Sequence, residues 1–130
     1  KPDKIYIIGL REAIGETVVS DVTTLTGLEA KDMIRIGGAD RYATSLAVAN
    51  YFNFVNSTVC IATGNNFPDA LTGSVYAAKY RAPIILTDRT LPEQTVGYLE
   101  SRKPPNTIIF GGESVISITI EQQIKRLLSQ

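Results

Sequence analysis

Histidine and tryptophan are missing altogether from the 130 residues, and there is one cysteine, Cys60. Each absence removes chemistry. Without histidine there is no Ser-His-Asp or Cys-His catalytic set, and the usual zinc and iron ligand sets go with it. A single cysteine forbids an intramolecular disulfide. Its place in the apolar run TVCIAT reads as a small buried hydrophobe. Net charge is missing too. Thirteen basic and thirteen acidic residues cancel, so no global basic footprint for nucleic acid is present. No apolar run is long enough to span a bilayer, so no membrane partner is expected, and no signal peptide is visible. The chain opens at Lys1, so any targeting or anchoring segment is expected to lie outside it.

What is present is ordinary globular material, 44% apolar and 20% charged, in a length that suits one domain over residues 1–130. Short β-branched runs alternate with longer amphipathic stretches. The expected strands are KIYIIG, MIRIGG, TVCIAT, APIILT and TIIFGG, each followed by ten to fifteen residues of helical periodicity. In the last stretch Ile116, Ile120, Ile124, Leu127 and Leu128 share one face. The strands are continuous apolar runs, as in parallel sheets covered on both sides. Five βα units in series therefore predict an α/β fold. It would be a three-layer open, mainly parallel sheet with helices on both faces, flavodoxin-like or Toprim-like, with Pro83-Ile84-Ile85-Leu86 as a central strand. Helix starts are marked by Asp40 before Arg41, by Pro68 in a first turn, and by a capping box with Thr90 at the N-cap and Glu93 reaching back.

One internal similarity stands out. YIIGLREAIGETVVSDVTTL resembles IIFGGESVISITIEQQIKRL at a shift of 102 residues, which aligns Gly9 with Gly111, Ile14 with Ile116 and Leu25 with Leu127. A strand-turn-helix unit recurs, and the reading is that of a tandem array. Residues 35–128 would be one complete module, and residues 4–27 the closing unit of a preceding one.

In a parallel sheet every βα loop emerges at one edge, where open α/β sheets bind ligands. Here those loops are GLRE, GGADR, TGNNFPDA, TDRT and GGES. They offer Arg41, Asn65, Asn66, Asp69, Thr87, Arg89 and Gly112 as candidate ligand contacts, together with helix N-termini suited to anions. Within RIGGADRYATS, Gly37 and Gly38 read as tight backbone turns and Asp40 as a cap. Arg41 has two open readings, an ion pair with Asp69 that locks two loops, or a contact to a ligand phosphate or carboxylate. The stronger enzyme signatures are missing: no phosphate-binding G-x-x-x-x-G-K-[ST], no G-x-G-x-x-G, no G-x-S-x-G. Asp69, Asp88 and Glu113 form no D-x-D pair, so neither a metal site nor a cofactor is expected.

RIGGADRYATSLAVA, ATGNNFPDALTGSVYAAKYRAPIILT and IIFGGESVIS resemble the bacterial cell-wall-binding repeat type 2. The resemblance implies a module that occurs in threes in surface proteins of Gram-positive bacteria. It would anchor its protein, outside the cell, to an anionic secondary wall polymer such as a teichoic-acid-like polysaccharide. It implies neighbouring modules as partners, in a pseudo-threefold assembly, and no catalysis. The family's Pro-Ile-Leu-Leu anchoring motif is matched by Pro83, Ile84, Ile85 and Leu86, an apolar stretch expected to hold the fold or a module contact while the polymer meets the loops beside it. The competing reading is a small α/β enzyme or nucleotide-binding domain that uses the Gly-rich loop edge.

Overall fold

The computed structural model describes residues 1–53 and 58–129. Strands β1 (Ile5–Ile8), β2 (Met33–Ile36), β3 (Thr58–Thr63), β4 (Ile84–Thr87) and β5 (Asn106–Phe110) alternate with helices α1 (Glu16–Thr26), α2 (Arg41–Phe52), α3 (Pro68–Lys79), α4 (Glu93–Arg102) and α5 (Ile118–Leu128). All strand pairings are parallel, and the α/β architecture read from the sequence is present.

The strands do not join in one sheet. β4, β3 and β5 form a three-stranded sheet with β3 in the centre, while β1 and β2 pair separately. The cause lies at the outer edge of β4. Helix α2 lies along it, and the Ser45 hydroxyl accepts a hydrogen bond from the Leu86 amide at 3.0 Å. An edge amide already bonded to a helix side chain is no longer free to extend the ladder. Pro83-Ile84-Ile85-Leu86 therefore forms an edge strand, not the central one expected. β1 pairs with β2, in the register Ile5–Met33 to Ile8–Ile36.

Alternating side chains of β3 supply both faces of the larger sheet. Val59 and Ile61 enter the main core with Ile85, Leu99, Ile116, Ile120 and Ile124, under α4 and α5. Cys60 faces the other side with Ala77 of α3, Ala82, Ile108 and Phe110. Burial of each fully covered Ile or Leu stabilises by about 1.5–3 kcal/mol. Gly73 lets α3 lie directly on β5: a Cβ there would stand 2.3 Å from the Phe110 ring.

Helix starts follow the sequence in two cases of three. The Asp40 carboxylate accepts from the Ala43 amide at 2.7 Å, and Pro68 opens α3. The Thr90 capping box is not formed. Helix α4 begins at Glu93 behind Pro92, with no side-chain cap. Thr90 instead turns its carbonyl to the Thr87 hydroxyl at 3.0 Å, which places it in the loop, away from the helix start.

The two similar segments fold alike. α1 and α5 each have 11 residues and occupy equivalent positions. Gly9 and Gly111 both end their strands at positive φ, 137° and 124°. In the turns that follow, the amides of Ala13 and Ile14 bond to the Leu10 carbonyl, and those of Val115 and Ile116 bond to the Gly112 carbonyl.

Candidate functional site

The carboxyl ends of the strands meet in loops whose shape depends on close backbone contacts. A Cβ on Gly37 would lie 2.8 Å from the Leu10 nitrogen, so this glycine lets the β2 loop rest on the β1 loop. A Cβ on Gly64 would fall 2.5 Å from the Tyr42 ring. Beside these loops a cleft of about 860 Å³ lies between the two sheets. Ile8, Ile84 and Leu86 give it an apolar lining, and Asp40, Arg41 and Glu12 give it charge. Ile84 and Leu86 are half-buried, whereas Ile85, between them, points into the core and Pro83 is buried. The apolar motif thus splits by strand alternation: two side chains line the cleft, and the others hold the fold.

Beside this cleft lies a polar network. Arg41 is exposed, and its Nη1 donates to the Gly64 carbonyl at 2.5 Å. Among the described residues Arg41 makes no ion pair with Asp69, so of its two open readings the loop lock is not formed. The helix placement explains the difference: the arginine opens α2 alongside the Gly64 turn, whereas the Asp69 carboxylate sits close to Gly111, 3.1 Å from where a Cβ would lie. Asn65 ties its own loop to the first turn of α2 and to the loop after β4. Its carbonyl oxygen accepts from the Tyr42 hydroxyl at 3.2 Å, and its amide nitrogen donates to the Asp88 carboxylate. That donated bond holds the Asp88 pKa below the ordinary carboxylate value, helped by the Arg89 backbone amide and the Arg89 charge. The stabilisation from Asp88 is therefore present above the ordinary carboxylate pKa and is lost as pH falls through the lowered one.

Asn66 and Arg89 are exposed on the same loops. Two other expected contacts are placed elsewhere. Thr87 is 0% exposed, with its hydroxyl spent on the Thr90 carbonyl, so it organises the loop from below and does not face a ligand. Gly112 lines a separate groove of about 600 Å³ between β5 and α5. Asp69, Asp88 and Glu113 do not converge: among the described residues no group of three metal-ligating side chains could hold an ion. No helix among the described residues is long and apolar enough to cross a membrane.

The residues that sequence reasoning missed are Tyr42, Ser45 and Arg35. Tyr42 and Ser45 lie inside a helical pattern that does not distinguish them from its other positions. Arg35 had a signal, a lone charge within the apolar strand MIRI. Its Nη1 donates to the carbonyls of Gly9 and Ile14, both at 2.9 Å, and its Nη2 meets Glu16 at 3.0 Å.

The titratable groups in and beneath these loops are not set up for acid-base or nucleophilic chemistry. The Cys60 thiol is buried, and burial raises its pKa, which keeps it protonated and unreactive. The shift at Asp88 runs against general-acid use.

The amidase enhancer of Bacillus subtilis (strain 168) is 31% identical over 126 residues, covering 96% of this chain and 16% of that protein. The N-acetylmuramoyl-L-alanine amidase LytC of the same organism is 30% identical over 103 residues, covering 78% of this chain and 21% of that protein. The solved structure of Cwp6 from Clostridium difficile superposes with a TM-score of 0.87 at 30% identity, over 97% of this chain and 20% of Cwp6. The chain thus spans about a fifth or less of each relative's length. Residues 35–121, more than half of the chain, match the cell wall binding domain 2 family, and the chain belongs to that family of cell wall binding modules.

Proposed function

We propose that this domain is a non-catalytic module, one unit of a tandem array in which residues 35–128 are a complete module and residues 4–27 close a preceding one. It attaches a surface protein to an anionic polymer of a Gram-positive wall, outside the cell. The family match over residues 35–121 carries this reading. The shape and charge of the loop edge support its chemistry. The cleft lining of Ile84 and Leu86 offers an apolar surface of the kind a sugar ring packs on, and the exposed Arg41 beside it supplies a guanidinium for phosphate or carboxylate. Asn66 and Arg89 extend the polar rim along the neighbouring loops. A single such site binds modestly, and repeated modules multiply it through effective concentration.

The test is a pull-down on purified walls before and after removal of their anionic polymers. Binding is expected only before removal. Arg41→Ala is expected to weaken it roughly tenfold at low salt, the loss of one charge-assisted contact of about 1.4 kcal/mol. Equal binding to stripped walls would end the anionic-polymer reading. Undiminished binding by Arg41→Ala would move the site away from the cleft.

A further inference from the structure

The groove between β5 and α5 has a filled counterpart within the same chain. At the first copy of the repeated unit, β2 lies along β1 and completes it in three ways. It pairs in the register Ile5–Met33 to Ile8–Ile36, and the Ile36 carbonyl accepts from the Gly9 amide at 2.7 Å. Gly37 comes so close to the Gly9–Leu10 backbone that no Cβ would fit. Arg35 reaches over the turn and donates to the Gly9 and Ile14 carbonyls at 2.9 Å.

At the second copy the receiving half is built and the inserted half is absent. β5 pairs with β3, and its other edge carries no strand among the described residues. Gly111 repeats the positive φ of Gly9, and the Gly112–Ile116 turn repeats the bonds of Leu10–Ile14. The groove beside them, about 600 Å³, is lined by Ile109, Gly111, Gly112, Glu113 and Ile116, among others. Thr107, on its wall, has a buried hydroxyl without a hydrogen-bond partner among the described residues. The receptor for a β2-type strand is therefore present twice and occupied once.

We infer that this groove takes the Met33–Gly38 segment of a second copy of the module. The strand would lie parallel to β5 with Met33 opposite Thr107, Ile34 opposite Ile108, Arg35 opposite Ile109 and Ile36 opposite Phe110. The Ile36 carbonyl of the second copy accepts from the Gly111 amide, its Gly37 rests on Gly111 and Gly112, and its Arg35 forks onto the carbonyls of Gly111 and Ile116. One contact changes. Ile118 stands where Glu16 does, so the ion pair at the helix start is lost, while Glu113 replaces Arg11 and puts a carboxylate on the groove wall instead. The inference rests on the array reading above and is independent of which polymer the module binds.

The test is a tandem chain, residues 1–130 followed directly by residues 29–130, which restores the spacing between α1 and β2. Amide hydrogen exchange is measured at Gly111 of the first copy in the tandem and in the single chain. The Ile61 amide of each copy reports whether that copy is folded. Gly111 is expected to exchange about tenfold more slowly, or slower still, in the tandem. Gly37→Val in the second copy alone should abolish that protection, and Arg35→Ala there should remove part of it. Equal exchange at Gly111 in the two chains, with Ile61 protected in both copies, overturns the inference. So does protection of Gly111 by added wall polysaccharide in the single chain with none in the tandem, which would give the groove to the polymer. A tandem that protects Gly111 yet fails to bind walls keeps this inference and breaks the polymer reading.

Discussion

The first and last strand-helix units share a backbone and differ in what covers them. In α5 Ile120 is 1% exposed, whereas Val18, its equivalent in α1, is 52% exposed. Phe110 packs on Gly73 and Ile108 joins the cluster around Cys60. Their counterparts Ile8 and Tyr6 stand largely in the open, Tyr6 meeting the rings of Tyr51 and Phe52. The face left bare in the first copy is the one that β3, α3 and α4 cover in the second. Conversely, the edge that β2 completes in the first copy is open in the second. Strand, turn and helix are thus written locally, while burial is conferred by neighbours. Each copy is covered on a side that the other leaves bare.

Side-chain truncations should separate the copies most. Ile120→Ala removes fully buried methyl groups and is expected to cost about 2–5 kcal/mol in urea unfolding. Val18→Ala, at the matched position, should stay within about 0.5 kcal/mol. Comparable losses would mean that α1 is covered as α5 is, and the contrast would collapse. A backbone change should do the opposite. Gly9→Ala and Gly111→Ala both force a Cβ onto positive φ, and the nearest atoms would stand 3.2 and 3.1 Å away. Each is expected to cost about 1–3 kcal/mol, with similar falls in melting temperature. A large cost at one glycine and none at the other would show that the turns are equivalent in outline only.

These contrasts also mark how far the sequence could be read. Strand positions, parallel pairing, the Asp40 cap and the apolar face of α5 all follow from patterns confined to a few neighbouring residues. The division into two sheets does not, because it turns on Ser45 reaching the Leu86 amide, a contact 41 residues apart with no periodic signature. The capping box is not formed because α4 starts later than the pattern suggests, at Glu93 behind Pro92, which leaves Thr90 in the loop with its carbonyl bonded to the Thr87 hydroxyl. At the loop edge the polar residue types were readable, and their pairings were not. Of the two open readings of Arg41, the ion pair with Asp69 rested on charge alone, while the fold gives the guanidinium the Gly64 carbonyl. Pro83-Ile84-Ile85-Leu86 was expected as a central strand, which would cover Leu86 on both sides. As a half-buried lining residue on an edge strand it has a second role open to it, in the cleft.

The smallest expected effect bears on the clasp that only the first copy has. Arg35 is partly buried, its side chain 21% exposed, and it forks onto two carbonyls that would otherwise lose a charged donor. The Glu16 contact adds little, since that carboxylate is 57% exposed and water screens it. Arg35→Ala in the single chain is therefore expected to cost about 1–2 kcal/mol, the carbonyl bonds supplying most of it. The loss should be local. The Gly9 amide, bonded to Ile36, should exchange faster, while Ile61 in the centre of the other sheet keeps its protection, because the β1–β2 pair can open without it. Arg35→Lys should recover only part of the loss, since an ammonium is a point charge without the planar fork that spans both carbonyls. If Arg35→Ala accelerates exchange at Ile61 as much as at Gly9, the two sheets unfold as one body. The first copy is then held by the whole fold and not by its own clasp.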